Sequence, residues 1–185
     1  MSNLTKKALS NALMEVLKDK PFDKIKVQDL TSMCGLTRNT FYYHFKDIYD
    51  LLSYTFVYEL EELEKKYNDN KNWEGGLEQG LNYIYQHRKA IRNIYESANQ
   101  DIVIKYVMNI SYEHAKAIVS LHANEKLDFN IQNIIAKFYR DALLGALIDW
   151  VSSNMKSSPK ALARTYDTLF RGTFEATIKS ASELQ

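Results

Sequence analysis

The spacing of apolar residues follows the helical repeat along nearly the whole chain, and this feature limits the fold most strongly. Between Ala8 and Leu17, apolar residues recur at i, i+1, i+4 and i+5, which places them on one face of a helix. No stretch of any length shows the strict alternation of a half-buried strand. The 6 Gly and 2 Pro among 185 residues argue against a turn-rich all-β fold. We therefore predict an all-α protein.

Interruptions of this pattern predict where the helices end. Pro21 disfavours helix at the residue before it, Gly35 can adopt the left-handed conformation that stops a helix, and Ser158-Pro159 is a typical start. Thr37 and Asp47 are suited to cap the helices that follow them. After the first helix, the predicted helices span about 27–34, 37–44, 47–67, 73–87, 89–98, 101–122, 128–155 and 159–181.

Composition limits the setting in which the chain works. Hydrophobic residues make up 45% and charged residues 25%, which are globular proportions. The apolar runs are far shorter than the roughly 20 residues of a membrane span, and no apolar signal-peptide core follows the first residues. Cys34 is the single cysteine, so no internal disulfide can form. We expect a cytoplasmic protein without a membrane partner.

Charge is distributed unevenly between residues 1–46, which we call the head, and residues 47–185, which we call the body. The head carries eight Lys or Arg and four Asp or Glu, a net charge of +4, whereas the body has a net charge of −3. A basic head on an acidic body is expected where only the head contacts a polyanion. The excess is small enough to arise by chance, so charge alone does not decide the function.

The head has the spacing of a helix-turn-helix. Two short predicted helices, 27–34 and 37–44, are joined by a tight turn at Gly35-Leu36 and follow a longer helix that can bury both. Phe41 and Phe45 are four residues apart and form the natural core side of the second short helix. That helix is too short to bury its other faces, which predicts outward side chains at Arg38, Asn39, Tyr42, Tyr43 and His44.

These outward residue types suit DNA. Arginine can hold guanine, and asparagine can hold adenine, through two hydrogen bonds each, while hydroxyl and ammonium groups hold phosphates. The alternative is that the aromatic rings only pack and the polar groups are only solvated. Two exposed tyrosines beside Arg38 and Asn39 are costly unless something binds them, so we favour DNA binding.

The segments Ile25–Leu30, Leu36–Lys46 and Leu51-Leu52 together resemble the TetR/AcrR family of bacterial regulators, over about residues 5–55. The resemblance implies a homodimeric, all-helical transcription factor that binds a palindromic double-stranded DNA operator. Residues 1–46 would be its DNA-binding domain, and residues 47–185 would be a regulatory and dimerisation domain. Repression, which we take as the expectation, and activation both remain open.

The family motif also implies roles for individual residues in the head. Thr37, Tyr42, Tyr43 and His44 match positions that usually contact phosphates, and Arg38, Asn39 and Thr40 match positions that usually approach bases. Lys26 stands where members often have Thr or Ser, and Ile48 where many have Lys. With Lys26 as a phosphate contact, the predicted DNA-binding residues are Lys26, Thr37, Arg38, Asn39, Thr40, Tyr42, Tyr43, His44 and Lys46.

The last two predicted helices are apolar around much of their circumference, which suggests packing on two sides. One side can serve the chain's own core and the other a second copy, and small residues would let the helix backbones approach closely. The alternative is a single well-buried monomer core. We predict a dimer, because two symmetric heads read a palindrome. The expected interface residues are Ala142, Gly145, Ala146, Trp150, Leu169, Gly172 and Thr173.

The body is rich in tyrosine, and the family often binds small hydrophobic effectors in such a region. We name Tyr58, Tyr83, Tyr106, Tyr112 and Tyr139 as candidate pocket residues, with plain core packing as the alternative. Two body segments, Asp47–Leu52 and Phe138–Trp150, are similar to the branch that contains the activator of dihydroxyacetone kinase operons. That similarity raises a second hypothesis, in which a partner protein rather than a small molecule supplies the signal.

No residue pattern points to catalysis. His87, His114 and His122 are the histidines outside the head, and neither a cysteine nor a close pair of carboxylates completes a metal-binding set. We find no glycine-rich phosphate loop and no nucleophile elbow. The sequence therefore predicts no catalytic residue, no metal site and no cofactor.

Overall fold

A computed structural model describes residues 2–66, 73–98, 100–123 and 127–183, and within these ranges the fold is all-α, as predicted. A single turn of 3₁₀ helix spans Phe22–Lys24. No helix in the described ranges combines the length and the apolar composition needed to cross a bilayer. The α-helices are α1 Ser2–Val16, α2 Val27–Met33, α3 Arg38–His44, α4 Ile48–Lys66, α5 Trp73–Gln86, α6 Arg88–Tyr95, α7 Gln100–His122, α8 Phe129–Ser152 and α9 Pro159–Glu183.

Local hydrogen bonds explain where α4 begins. Asp47 Oδ1 accepts from the backbone N–H groups of Tyr49 and Asp50 at 2.9 Å, so Asp47 caps α4 as predicted. Asp50 Oδ2 in turn accepts from the N–H of Lys46 at 2.9 Å. The two bonds to Asp47 satisfy N–H groups that the first turn of a helix leaves without backbone partners, and the bond to Asp50 ties the preceding residue to the same turn.

The end of α8 differs from the prediction. The sequence places it near residue 155, but the helix stops at Ser152, because Asn154 and Met155 take positive φ angles of 64° and 52°. The indole N–H of Trp150 donates to the carbonyl of Ser157 at 2.9 Å and closes the turn that leads into α9. The backbone N–H of Met155 donates to the carbonyl of Trp150 at 2.8 Å in the same turn.

The chain divides into two compact units, which we describe separately. The first unit comprises residues 1–68 and 83–106, and the second comprises residues 69–82 and 107–185. The first therefore contains the whole head together with α4 and α6, and the second contains all of α8 and α9. The functional boundary expected at residue 46 stays a prediction, since compactness alone does not assign function.

In the first unit, α1 lies at the centre and contacts α2, α4 and α6, while α2 packs against α3. Leu9 and Leu13 of α1 and Leu17, which follows it directly, are fully buried, in agreement with the predicted apolar face. Burying side chains of this size stabilises a fold by roughly 1.5–3 kcal/mol each. The contacts of α1 hold α2 in place, and α3 is held by its packing against α2.

In the second unit, α7, α8 and α9 contribute to one apolar cluster. Tyr139 lies inside it, with its hydroxyl 3.0 Å from Thr177 Oγ1 and its ring 5.0 Å from that of Phe174. This places one face of α8 firmly in the core. The buried members of the cluster are Val119, Leu127, Ile135, Ala136, Tyr139 and Ile178.

Candidate DNA interface

The turn between α2 and α3 is set by Gly35. Its φ angle of 65° lies in the left-handed region, where a side chain would be strained. Its N–H donates to the carbonyl of Ser32 at 3.3 Å, and the N–H of Leu36 donates to the carbonyl of Thr31 at 2.8 Å. This pair of bonds is a Schellman motif, which ends α2 and turns the chain towards α3.

Thr37 caps the start of α3, as predicted. Its hydroxyl accepts from the N–H of Thr40 at 3.1 Å and lies 2.9 Å from the hydroxyl of Thr40. Both hydroxyls therefore already have a hydrogen-bond partner within the helix. This capping bond fixes the direction in which α3 leaves the turn.

The faces of α3 are distributed as the sequence predicts. Phe41 and Phe45 are 0% and 3% exposed, whereas Tyr42 and Tyr43 are 51% and 83% exposed. Arg38 and Asn39 are exposed as well, and His44 is half-buried. The outer surface of α3 therefore offers a guanidinium, a carboxamide and two phenol groups.

Three exposed cations of the head, Lys26, Arg38 and Lys46, form no ion pair with another described residue. By contrast, Lys20 Nζ lies 2.6 Å from Asp29 Oδ2. The hydrogen bond from Lys20 lowers the pKa of the Asp29 carboxyl most, and a second hydrogen bond, from the backbone N–H of Lys26, lowers it further. The unpaired cations leave positive charge available for an external anion.

The N-terminal half of α1 lies against α4, which the sequence did not suggest. Lys6 and Lys7 lie over the rings of Tyr54 and Tyr58, each at 5.4 Å from the centroid. The Tyr58 hydroxyl raises the pKa of Lys7 through a hydrogen bond. Lys7, Tyr54 and Tyr58 border a groove of about 350 Å³. Tyr58 is one of the candidate pocket residues.

The other candidate pocket residue described in the first unit is Tyr83, on α5. Its ring packs at 4.2 Å from that of His87, whose Nδ1 lies 2.9 Å from the Tyr83 carbonyl oxygen. Burial, and then the charge of Glu59, raise the pKa of the Tyr83 phenol. The side chain of Tyr106 lies outside the described residues.

In the second unit, Tyr112 and Tyr139 belong to the apolar cluster or pack against it. Tyr139 is 7% exposed, so little of it is left to contact a ligand. The hydroxyl of Tyr112 donates to Asn133 Oδ1 at 2.9 Å. Within the second unit, these two tyrosines therefore share the surroundings of one apolar cluster.

The residues expected at a dimer interface are distributed between the surface and the core of the chain. Gly145 on α8 and Leu169, Gly172 and Thr173 on α9 are exposed, while Ala142 and Ala146 are half-buried. Trp150 is 4% exposed and packs within its own chain.

Two large apolar residues of α8, Ile134 and Phe138, are 65% and 64% exposed, although neither is among the interface residues expected from the sequence. These two residues lie at i and i+4 and form what we call the outer stripe of α8. Their spacing could have revealed this stripe from the sequence.

Among the residues that the structure describes, no three His, Cys, Asp or Glu side chains come together in a way that could hold a metal ion. Cys34 Sγ lies 3.4 Å from the carbonyl oxygen of Ala8, and burial raises the pKa of its thiol. This contact joins the residue directly after α2 to α1, and we give Cys34 a packing role.

Comparisons with known proteins agree with the geometry of the head. A model described as bacterial regulatory proteins, tetR family, matches residues 9–55. A second model, described as a transcriptional regulator C-terminal region, matches residues 71–172, which is more than half of the chain.

Two similar proteins share a name. The HTH-type dhaKLM operon transcriptional activator DhaS of Lactococcus lactis subsp. lactis (strain IL1403) is 26% identical over 94 residues, covering 51% of this chain and 50% of that protein. The match thus spans about half the length of the curated relative. A solved structure of a dihydroxyacetone kinase operon activator DhaS aligns with a TM-score of 0.64 and 17% identity, over 93% of this chain and 97% of that chain. This second likeness concerns the fold.

Proposed function

The chain belongs to the TetR family of bacterial regulatory proteins, and from this premise we propose that it binds a palindromic DNA operator as a homodimer. The observation that carries the proposal is the division of α3. Phe41 and Phe45, the residue directly after the helix, are buried, and the arginine, asparagine and two tyrosines of α3 are exposed. An exposed helix of this composition fits the major groove, which is wide enough to admit an α-helix.

Within the proposed interface the residues have different tasks. Arg38 and Asn39 carry the groups that can read base edges, while Tyr42 and Tyr43 carry hydroxyls suited to phosphates. Thr40 is placed near the bases as well. The remaining proposed contacts, to phosphates, are Lys26, Thr37, His44 and Lys46. Residues 1–46 act as the DNA-binding domain in this proposal.

The proposed dimer is supported by the outer faces of α8 and α9. Ile134, Phe138 and Leu169 are each more than half exposed in the single chain. Exposed apolar patches of this kind typically mark interaction sites. Gly145 and Gly172 lie on the same outer faces, where an added Cβ would meet no atom of the chain within 4 Å. A glycine inside a helix costs about 1 kcal/mol relative to alanine, so a close approach by a second copy gives these glycines a purpose.

Selection of bound sequences from a random DNA pool tests the proposal directly. We expect enrichment of a palindrome whose half-sites are about 34–36 Å apart, or a multiple of that spacing. The same selection with Arg38→Ala should lose one conserved base in each half-site. Failure of the wild-type chain to enrich any sequence would contradict the proposed operator binding.

In this proposal the body receives the signal that changes operator binding. The similar proteins are both named activators, which supports activation of transcription as the outcome. A reporter gene placed behind the selected operator would distinguish activation from repression, since the chain should raise expression in the first case and lower it in the second.

A second candidate is that a partner protein supplies the signal. This is favoured by Phe129 and Ile118, which are 59% and 38% exposed in the second unit. Native mass spectrometry of the purified chain distinguishes the two candidates. A small molecule bound to the purified chain would support an effector. A chain that carries no small molecule, and whose operator binding changes only after a protein is added, would support a partner.

A further inference from the structure

One side of α8 concentrates cationic and polar groups around a single aromatic ring of α7. Asn133, Lys137 and Arg140 recur at i, i+4 and i+7, so they share a face of the helix. Lys137 Nζ and the guanidinium carbon of Arg140 lie 5.9 and 5.7 Å from the centroid of the Tyr112 ring. All four residues lie in the second unit.

Arg140 is the unusual member, because its side chain is only 12% exposed. Its Nε and Nη2 both lie 2.7 Å from a single oxygen, Oδ1 of Asp141, whose side chain is 53% exposed. A guanidinium has five N–H donors in a planar fork. Within the described residues, no acceptor besides this one carboxylate oxygen is recorded for Arg140. A largely buried cation with an incomplete set of acceptors is energetically costly.

The neighbouring groups add further donors. Asn133 Oδ1 accepts from the Tyr112 hydroxyl at 2.9 Å, which leaves the Asn133 NH₂ group as a donor. Lys137 is exposed and forms none of the ion pairs recorded for the described residues. With Asp141 counted, the cluster has a net charge of +1. Its chemistry is therefore that of a site for a negatively charged ligand.

We propose that Arg140, Lys137 and Asn133 bind the oxyanion group, a carboxylate or a phosphate, of a small effector. Arginine binds such groups through two parallel hydrogen bonds. The Asp141 carboxylate marks where an oxyanion fits against the guanidinium, and its exposed position lets a ligand displace it. This inference rests on the proposed function, since it identifies the chemical class of the signal that the body receives.

Displacement of Asp141 also connects the site with the proposed dimer. Asp141 follows Arg140 directly and lies within one turn of Phe138 and Gly145 on the outer stripe of α8. An effector that replaces the Asp141 carboxylate on Arg140 leaves that carboxylate, with its negative charge, unpaired at this stripe. The charge change alters the contact between the two copies and hence the relation of their heads.

The test is a titration of the full-length chain with inorganic phosphate and, separately, with acetate, at constant ionic strength, followed by calorimetry. We expect saturable binding of at least one probe. Arg140→Gln should weaken it about tenfold or more, as for a lost charged hydrogen bond. Arg164→Gln, an exposed arginine of α9 in the same unit, is the matched control and should bind like the wild type. Phosphate binding alone assigns a phosphorylated effector, and acetate binding assigns a carboxylate.

A second variant keeps the test decisive if Arg140→Gln does not fold. Asp141→Asn removes the competing carboxylate from a half-exposed position, so we expect the same probe to bind more tightly. Absence of saturable binding, or equal binding by the wild type and both variants, would overturn the proposal. Operator binding is measured on the same samples. A chain that binds its operator but neither probe refutes only the anion site, and a chain that binds a probe but no DNA refutes the proposed function.

Discussion

At the scale of single residues, the head contains side chains with structural tasks beside side chains with none. The hydroxyl of Thr37 already accepts a hydrogen bond from the backbone of α3, whereas Arg38 next to it is exposed and forms no ion pair within the described residues. Substitutions at these neighbouring positions therefore should have different consequences. A substitution at Thr37 should change the stability of the chain. A substitution at Arg38 should change which DNA sequences the chain prefers.

Thr37→Ala should lower the free energy of unfolding by about 1 kcal/mol, because the N–H of Thr40 loses its capping acceptor. Thr37→Ser keeps the hydroxyl and should retain most of the stability. Urea unfolding followed by circular dichroism measures both variants. Equal unfolding midpoints for Thr37→Ala and the wild type would show that the cap contributes nothing.

Arg38→Ala should weaken the binding free energy for the preferred operator by about 1–3 kcal/mol. The loss should be much smaller for operators that are altered at the base pair proposed to be read by Arg38. Lys46→Ala should instead weaken all sequences alike and reduce the salt dependence of binding by about one unit of slope. Competition binding at several salt concentrations separates the two effects. Lys160→Ala, an exposed lysine of α9, serves as the control and should change neither. A uniform loss on every sequence for Arg38→Ala would remove Arg38 from base reading.

At the scale of elements, the hydrogen bond between α6 and the end of α1 connects residues far apart in the sequence. Asn93 Nδ2 donates to the carbonyl of Leu17 at 2.8 Å, across 76 positions. Leu17 follows directly after α1, whose last carbonyls have no partner in the helix. The bond therefore stabilises the end of the helix that supports the head.

Asn93→Ala should lower the free energy of unfolding by about 1–2 kcal/mol, because the Leu17 carbonyl is left without its partner. Amide hydrogen exchange should become faster from Leu17 to Lys20 and stay unchanged in α8. Lys89→Ala, on an exposed position of the same helix, is the control. If both variants exchange like the wild type, the bond does not hold the end of α1.

The elements also show what the sequence could predict. The helices followed from local information, since apolar spacing, Gly35, Thr37 and Asp47 act within a few residues of themselves. Two local features could not be predicted from the sequence, namely the 3₁₀ turn after Pro21 and the early end of α8 at Ser152. Both depend on how a turn packs.

The outward side chains of α3 were predictable for the same reason, since a short helix has only one face to bury. Other features depend on tertiary contacts, which leave no signal in the local sequence. They are the surroundings of Tyr139 and Trp150 and the hydrogen-bond partner of Asn93.

At the scale of the whole molecule, the outer stripe of α8 is the feature that a single chain does not explain. Phe138→Glu should leave the helical content unchanged, because the side chain is 64% exposed. It should convert the proposed dimer to a monomer and weaken operator binding, because one head alone would make half the contacts. Light scattering after gel filtration measures the mass. Phe129→Glu, at another exposed apolar position of α8, should remain dimeric.

Gly145→Ala separates the stability of the chain from the stability of the dimer. In a single chain the new Cβ meets no atom within 4 Å, so the helix should gain about 0.5–1 kcal/mol. Between two copies the same methyl group, present on both helices, should push the backbones apart and weaken association. Unfolding is measured in the monomeric Phe138→Glu background, and dissociation is measured by sedimentation in the wild-type background.

Opposite signs for these two measurements are the specific expectation for a glycine at a close helix contact. Gly76→Ala is the matched control, since this exposed glycine of α5 also has open space around an added Cβ. It should stabilise the chain and leave the dissociation constant unchanged. A Gly145→Ala chain that unfolds at higher urea and dimerises as tightly as the wild type would place Gly145 outside the contact, because a buried close approach leaves no room for two additional methyl groups.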